Sequence, residues 1–175
     1  RETFLLPVRW SDDGFPYMLS GDELVPLIVQ MKGVQRDTEV TFGNFSQRDD
    51  FNAARLGMDW FTFRTPASEQ YSLTEAPGFL SLKCSEISAS ERKTPALVVR
   101  RIQHHNFAGE TSLLFEPRDE KEAAGLLLYK DETHQYFLSV RKNEKAKKIS
   151  LEKIGNTGTE ILEEESVPAN TPIAL

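Results

Sequence analysis

The sequence predicts an all-β protein with two packed antiparallel sheets, and three observations support this. Apolar and polar residues alternate along many short segments, which is typical of strands that pack one face of a sheet. Turn dipeptides such as Asp13-Gly14 and Pro77-Gly78 separate these segments. No segment shows two full turns of helical apolar periodicity, so at most a short turn is expected within residues 49–58 or 118–124.

The predicted strands follow one another along most of the chain. Each has period-2 alternation or a high content of β-branched and aromatic residues. In chain order they are Thr3–Val8, Glu39–Phe42, Trp60–Arg64, Phe79–Lys83, Ala96–His105, Phe107–Phe115, Gly125–Tyr129, Gln135–Val140, Ile149–Ile154 and Glu160–Glu165. Many short strands with intervening turns are typical of a two-sheet sandwich or jelly roll.

Two of these strands allow more specific predictions. Gly125–Tyr129 and Gln135–Val140 flank the polar residues 131–134, which predicts a β-hairpin with a loop of about four residues. Thr3–Val8 is apolar on both faces. Because exposing three large apolar side chains costs several kcal/mol, at roughly 1.5–3 kcal/mol each, we expect this strand to be covered by its own domain or by a partner chain.

Composition excludes several classes of protein. The formal net charge of -6 argues against a nucleic-acid binder, which would carry a basic patch. No segment approaches the roughly 18 apolar residues that a membrane-spanning helix needs. The single cysteine, Cys84, excludes an internal disulfide and is predicted to be a buried or inert thiol, and it leaves the compartment open.

The residues alone do not assemble an active site. No nucleophile elbow, P-loop or dinucleotide-binding fingerprint is present. His104 and His105 point to opposite faces of one predicted strand, so together with His134 they do not predict a metal site. We therefore expect no catalytic residue, metal or cofactor in this chain.

The most unusual local feature is the polar stripe formed by Arg100, Arg101, Gln103 and His104. Arg101 and Gln103 continue a face of the strand that begins apolar. Such a stripe is consistent with a domain interface or buried polar network, with a ligand-binding face, or with a solvated strand end. Because a buried guanidinium is costly unless it is paired, we expect a carboxylate beside Arg100 or Arg101.

Five motifs in order resemble the C-terminal β-sandwich of family 43 glycoside hydrolases, the β-xylosidases and α-L-arabinofuranosidases. They are Trp60-Phe61-Thr62-Phe63-Arg64-Thr65-Pro66, Tyr71-Ser72-Leu73, Pro77-Gly78-Phe79-Leu80-Ser81-Leu82, Arg100-Arg101-x-Gln103-His104, and Glu122-Ala123-Ala124-Gly125-Leu126 with Tyr129. The opening segment, residues 1–16, is similar to the strand that closes the catalytic β-propeller of that family. The resemblance implies a concanavalin A-like jelly roll over residues 36–175, a linker at 21–35, and the end of a propeller at 1–20.

The resemblance also implies a function. The parent would be an inverting glycosidase of xylosides or arabinosides, whose two carboxylates lie upstream of residue 1. Arg1 matches an arginine of the family's sugar pocket, so it would bind substrate only in the full-length enzyme. The expected partners are the catalytic propeller of the same parent chain and, in the full enzyme, oligosaccharides derived from xylan or arabinan. This chain alone is expected to hydrolyse nothing.

Two departures from the family pattern bear on these expectations. Ile102 stands where the family usually has Gln, which weakens what the resemblance implies for the polar stripe. The family's sandwich usually continues beyond the equivalent of Leu175, so the sandwich is expected to be incomplete or only partly represented at its C-terminus.

Two classes of function therefore stand side by side. The first is an accessory domain that docks on the propeller and shapes its pocket. The alternative is a stand-alone carbohydrate-binding, lectin-like module. Exposed Trp or Tyr rings grouped on a sheet or loop cluster would favour sugar binding, whereas an apolar patch would favour docking. Because a core position is expected for Trp60, the sequence modestly favours docking.

Overall fold

The computed structural model describes residues 5–30, 33, 46–64, 69–143, 146–168 and 173–175. Within these ranges the chain forms twelve β-strands and no helix, and every strand pairing is antiparallel. The predicted all-β class is therefore confirmed. The chain divides into two compact units, residues 1–42 and 43–175, which are described separately below.

The first unit contains a short hairpin. Strands β1 (Val8–Trp10) and β2 (Pro16–Met18) pair so that Arg9 lies opposite Tyr17. Gly14 turns the chain between them with a φ of 81°, a conformation that glycine adopts without steric cost. The predicted Asp13-Gly14 turn is thus confirmed.

The predicted first strand is displaced along the chain. Regular pairing starts at Val8 rather than at Thr3, because Pro7 has no N–H to donate to a ladder. Residues 1–4 lie outside the described part of the chain. Leu5 is 81 % exposed in the single chain, and cover of this strand by its own domain or by a partner chain stays a prediction.

The second unit is built on a four-stranded sheet with the order β11-β10-β9-β8. Its strands are β8 (Ala123–Asp131), β9 (His134–Asn143), β10 (Ala146–Gly155) and β11 (Gly158–Val167). The four strands predicted in this part of the chain are confirmed, and each is longer than predicted. The loop between β8 and β9 has two residues rather than four, because the ladder continues to the pair Asp131 and His134.

The rest of the second unit contains three pairs of much shorter strands. They are β3 (Trp60–Thr62) with β6 (Val98–Arg100), β4 (Tyr71–Ser72) with β5 (Ser81–Leu82), and β7 (Ser112–Leu113) with β12 (Ile173–Ala174).

Four predicted strands are therefore too long. Trp60–Arg64 ends early because Arg64 adopts a left-handed φ of 66°, which interrupts the extended backbone. Ala96–His105 ends at Arg100, since the His104 ring accepts a hydrogen bond from Asn106 N in a bend. Phe79–Lys83 and Phe107–Phe115 each keep one two-residue strand. Glu39–Phe42 lies outside the described residues.

Few side chains are buried among the residues that the structure describes. The buried apolar ones are Leu73, Val140 and Ile173, and Val140 is completely inaccessible. Ser139 and Ser150 lie opposite each other on β9 and β10 and are also inaccessible to solvent. Of the two alternatives predicted for Cys84, burial is wrong, because the residue lies exposed in irregular chain after β5, and an inert thiol stays a prediction.

Candidate functional site

Arg100 is the predicted site residue with the most defined surroundings. It ends β6 directly opposite Trp60 on β3. Its side chain is about one-quarter exposed, and Nη2 lies 3.2 Å from Oδ2 of Asp59. A carboxylate therefore lies beside Arg100, which offsets much of the cost of removing the guanidinium from water.

The other members of the polar stripe are exposed and lie apart from Arg100. The guanidinium carbon of Arg101 lies over the ring of Phe61, at 5.9 Å from the ring centre. Gln103 and His104 follow β6 in irregular chain and are both exposed. Their role at an interface stays a prediction. Arg1 lies outside the described residues.

Arg100 forms one wall of an open cleft at the end of the β3–β6 pair. The cleft has a volume of about 280 Å³. Its floor includes Gly57, and its walls carry an aromatic ring and charged or amide groups from three segments of chain: Gln47, Arg48, Asp49, Asp59, Trp60 and Arg100. The site combines one indole with two guanidinium and two carboxylate groups.

The Trp60 indole is held in this cleft by a carboxylate eleven positions earlier. Nε1 of Trp60 donates a 2.7 Å hydrogen bond to Oδ2 of Asp49, while Oδ1 of Asp49 accepts one of 2.8 Å from Phe51 N. Phe51 adopts a left-handed φ of 51°, and its ring centre lies 5.6 Å from that of Trp60. The sequence-based expectation of a core position is wrong, since Trp60 is half-buried and lines a cleft.

A second group of side-chain contacts, which we call the Arg64 clamp, connects a loop to the β8–β9 hairpin. The Arg64 guanidinium donates to the carbonyl oxygens of Glu91 and Lys93, and Nη2 lies 2.6 Å from Oε1 of Glu132. The buried Gln135 adds hydrogen bonds to the carbonyls of Asp131 and Glu132, at 3.2 and 3.0 Å. These contacts join residues 91–93 to the tip of the β8–β9 hairpin.

The hairpin tip next to this clamp carries the largest shift in acidity. The pKa of Asp131 is lowered from 3.8 to about 2, chiefly by its hydrogen bond with His134 and then by one from Thr133 N. The two ring-to-carboxylate atoms, Nδ1 and Oδ1, are 2.8 Å apart. Two residues earlier on the same strand, β8, burial raises the pKa of the Tyr129 phenol. The Asp131 carboxylate closes the turn by accepting hydrogen bonds from Thr133 N and from the Thr133 hydroxyl.

The hairpin of the first unit presents an exposed apolar surface. Val8, Trp10 and Met18 are 51, 69 and 63 % exposed, and their register places them on one face of the two strands. The opposite face carries Tyr17 with Arg9, whose guanidinium carbon lies 6.0 Å from the ring centre. A two-stranded hairpin with both faces in solvent is marginally stable, so this surface is suited to docking on another structure.

Two further properties concern only the described part of the chain. No three His, Cys, Asp or Glu side chains there are grouped in a way that could hold a metal ion. No described segment forms a helix with the length and apolar character needed to cross a bilayer.

The fold and these motifs define a family. Residues 48–175 match the family described as Beta xylosidase C-terminal Concanavalin A-like domain, and the chain belongs to this family. The fold implied by the sequence resemblance is therefore confirmed. The match covers the cleft apart from Gln47, the Arg64 clamp and the four-stranded sheet.

Curated relatives extend the match to most of the chain. It is 35 % identical over 148 residues to a non-reducing end α-L-arabinofuranosidase of Bacteroides ovatus, covering 80 % of this chain and 26 % of the relative. It is 32 % identical over 151 residues to a β-xylosidase of Bacillus subtilis, covering 85 % of this chain and 27 % of the relative. The chain thus spans about a quarter of the length of these relatives.

Solved structures are similar over nearly the whole chain. A family 43 protein of the Bacteroides ovatus xyloglucan utilisation locus superposes with a TM-score of 0.77 at 27 % identity, over 98 % of this chain and 33 % of that one. A xylan β-1,4-xylosidase of Bacillus halodurans gives a TM-score of 0.78 at 26 % identity, over 97 % and 32 %. The resemblance inferred from the motifs is confirmed by these comparisons.

Proposed function

We propose that this chain is the C-terminal accessory region of a glycosidase that acts on xylosides or arabinosides in hemicellulose breakdown. The observation that carries the proposal is that the chain matches about a quarter of each of two curated relatives, which are named as an α-L-arabinofuranosidase and a β-xylosidase. The remaining length of the parent would hold the catalytic domain. This chain would hold the sandwich that packs on it.

The exposed hairpin supports a docking role for the first unit. We assign residues 1–20 to the end of the catalytic propeller, residues 21–35 to a linker, and residues 36–175 to the sandwich. Val8, Trp10 and Met18 would then be covered by the propeller, which accounts for their exposure. Each such side chain gains roughly 1.5–3 kcal/mol when it is fully buried.

The composition of this surface favours docking over sugar binding. Val8 and Met18 are aliphatic side chains beside Trp10, which suits a protein interface that excludes water. Sugar-binding platforms combine aromatic rings with convergent hydrogen-bonding groups. The stand-alone carbohydrate-binding module is therefore the weaker alternative for this hairpin.

In this proposal, the catalytic carboxylates lie in the part of the parent outside this chain. Inverting hydrolysis needs a carboxylic acid and a carboxylate on opposite faces of the sugar, with room for a water between them. Among the described residues, the strongly shifted carboxylate is Asp131, and it closes a hairpin turn. We expect no release of nitrophenol from nitrophenyl xyloside or arabinofuranoside by the purified chain, and measurable release would overturn this assignment.

The assignment of the exposed hairpin to the propeller is tested in the proposed longer polypeptide. Replacement of Trp10 by Asp should lower kcat/KM on a nitrophenyl pentoside by at least about tenfold, because a charge would be buried in the interface. The matched control is Leu27→Asp, which places the same charge at a fully exposed position of the proposed linker and should leave kcat/KM unchanged. Unchanged activity in the Trp10 variant would contradict the proposal.

A further inference from the structure

The cleft between loop 47–51, residues 57–59 and the end of β6 has the composition of a small-molecule site. Its volume of about 280 Å³ lies just below the roughly 300–1,000 Å³ typical of such sites. That size suits one or two rings rather than a long chain. The residues lie within the second unit, so the cleft does not depend on the hairpin of residues 8–18.

The charges in the cleft favour a neutral ligand. The Arg48 guanidinium is paired with Asp50 at 2.7 Å, and Arg100 is paired with Asp59 at 3.2 Å. Both oxygens of Asp49 accept hydrogen bonds from N–H groups of the protein. Both guanidinium groups are thus paired with carboxylates, and both Asp49 oxygens are occupied by N–H donors, so an ionic ligand would have to displace one of these contacts.

Several of these groups remain open to a ligand although they are paired. The side chains of Arg48 and Asp59 are 85 and 62 % exposed, so binding would not require them to leave a buried network. Guanidinium and carboxylate groups are planar and offer two donors or two acceptors side by side. Adjacent hydroxyl groups on a sugar ring match this geometry.

The aromatic wall is rigid before any ligand arrives. The hydrogen bond from Trp60 to Asp49 and the contact with Phe51 fix the indole, and Arg100 lies across from it in register. Phe51 keeps an unfavourable left-handed backbone, which is more frequent at functional sites than elsewhere. A fixed indole loses little conformational entropy on binding.

We propose that this cleft is a non-catalytic binding site for a neutral sugar residue. The apolar face of the sugar would lie against the Trp60 indole beside the Arg100 guanidinium, whose carbon lies over the ring at 5.8 Å from its centre, while Asp59, Arg100 and Arg48 would bind its hydroxyl groups. The sugar class follows from the chemistry of the cleft. The choice of a pentose, as in xylan or arabinan fragments, rests on the proposed function.

The experiment is a titration of the 175-residue chain with xylobiose and with arabinobiose, followed by calorimetry and by amide chemical shifts. We expect dissociation constants on the order of 1 mM, as for a small and open site. Asp59→Ala and Arg48→Ala should each weaken binding by about tenfold, since a charge-assisted hydrogen bond is lost. Trp60→Leu should abolish binding, and the retained amide spectrum of β8–β11 would show that this variant is folded.

A matched control is available on the four-stranded sheet. Lys130→Ala removes one exposed cation, as Arg48→Ala does, but at a position outside the cleft, and should leave the dissociation constant unchanged. Absence of binding up to about 50 mM of either sugar would overturn the site. Binding that the Asp59 and Arg48 variants do not weaken would overturn it as well.

The two proposals can fail independently. Equal affinity for cellobiose would overturn the pentose assignment while leaving a sugar site in the cleft. Loss of activity in the Trp10→Asp polypeptide, together with a chain that binds no sugar, would support the docking role and overturn only this inference.

Discussion

The two halves of the second unit are held together in different ways. From residue 123 to 168, four strands of nine or ten residues form one continuous ladder. From residue 46 to 113, the paired strands have two or three residues each. There the backbone is fixed by side chains that reach distant carbonyl or carboxylate groups, such as Arg64 and Trp60.

This difference separates a scaffold from a functional region. A ladder distributes its hydrogen bonds over many residues, so that any one side chain matters little unless it blocks the pairing. A region fixed by single side chains depends on each of them and can shape an irregular surface, such as the cleft beside Trp60. Substitutions in the two regions should therefore destabilise the fold for different reasons.

The largest effect is expected at Gly125 in the ladder. A Cβ at this position would lie 2.0 Å from Leu138 O and 2.7 Å from Ser139 Cα, both of which are backbone atoms. Gly125→Ala should therefore force β8 away from β9 and lower the free energy of unfolding by about 3 kcal/mol, measured by urea denaturation.

Gly155 on β10 provides the control for that substitution. Its Cβ would meet only Gly158 O, at the ordinary contact distance of 3.8 Å. Gly155→Ala should change the free energy of unfolding by no more than about 0.5 kcal/mol. Equal effects of the two substitutions would mean that the close approach of β8 and β9 at Gly125 is not a constraint.

The next effect tests the side-chain clamp of the irregular half. Arg64→Ala removes the hydrogen bonds to Glu91 O and Lys93 O and the ion pair with Glu132, and keeps the left-handed backbone. We expect a loss of about 2 kcal/mol in the free energy of unfolding, since two carbonyls lose a charged donor.

Arg64→Gly separates the two contributions at this position. Glycine loses the same hydrogen bonds but adopts a φ of 66° without steric cost, so it should be about 1 kcal/mol more stable than the alanine variant. If the alanine variant proved the more stable of the two, the left-handed backbone at residue 64 would carry no strain.

The same contrast explains which elements could be predicted from the sequence. The ladder was predicted strand by strand because alternation along Gln135–Val140 or Ile149–Ile154 is a local signal that the register then enforces. Its loop was predicted too long because Asp131 closes the turn through its side chain. That contact cannot be seen in an alternation pattern.

The candidate site could be predicted only in part. Arg100 was singled out, and the expectation of a nearby carboxylate led to the right kind of partner. The cleft itself was missed, because Asp59 and Arg100 are 41 positions apart and Asp49 and Trp60 are 11 positions apart. A signal was available in Asp49 and Asp59, two carboxylates that flank an irregular segment and precede a tryptophan.

A smaller effect is expected when the tether of Trp60 is removed. Asp49→Ala deletes the acceptor of the indole N–H and should lower the free energy of unfolding by about 1 kcal/mol. The freed indole should also shift its fluorescence to longer wavelength. Trp10, which lies in the exposed hairpin, gives a constant background.

Asp50→Ala is the control for the tether. It removes the neighbouring carboxylate and its 2.7 Å contact with Arg48, a pair that is largely exposed and so contributes little to stability. The emission of Trp60 should stay unchanged. If both variants shifted the emission equally, the change would reflect the charge of the loop and not the hydrogen bond to Asp49.

The smallest effect concerns the turn between β8 and β9 and how the stability of the fold depends on pH. Because the pKa of Asp131 is lowered from 3.8 to about 2 in the folded chain, its carboxylate stabilises the fold above about pH 4. This stabilisation is lost as the pH falls from about 4 to about 2, where the folded chain takes up the proton. Asp131→Asn should therefore flatten the decline of the urea midpoint over that range.

Glu91 and Glu164 also have a lowered pKa and keep part of the decline in the variant. Asp119→Asn is the control. It also replaces a carboxylate, but one outside the hairpin tip where Asp131 contacts His134, and it should leave the slope unchanged. An unchanged slope in the Asp131 variant would mean that the contact with His134 does not persist in solution.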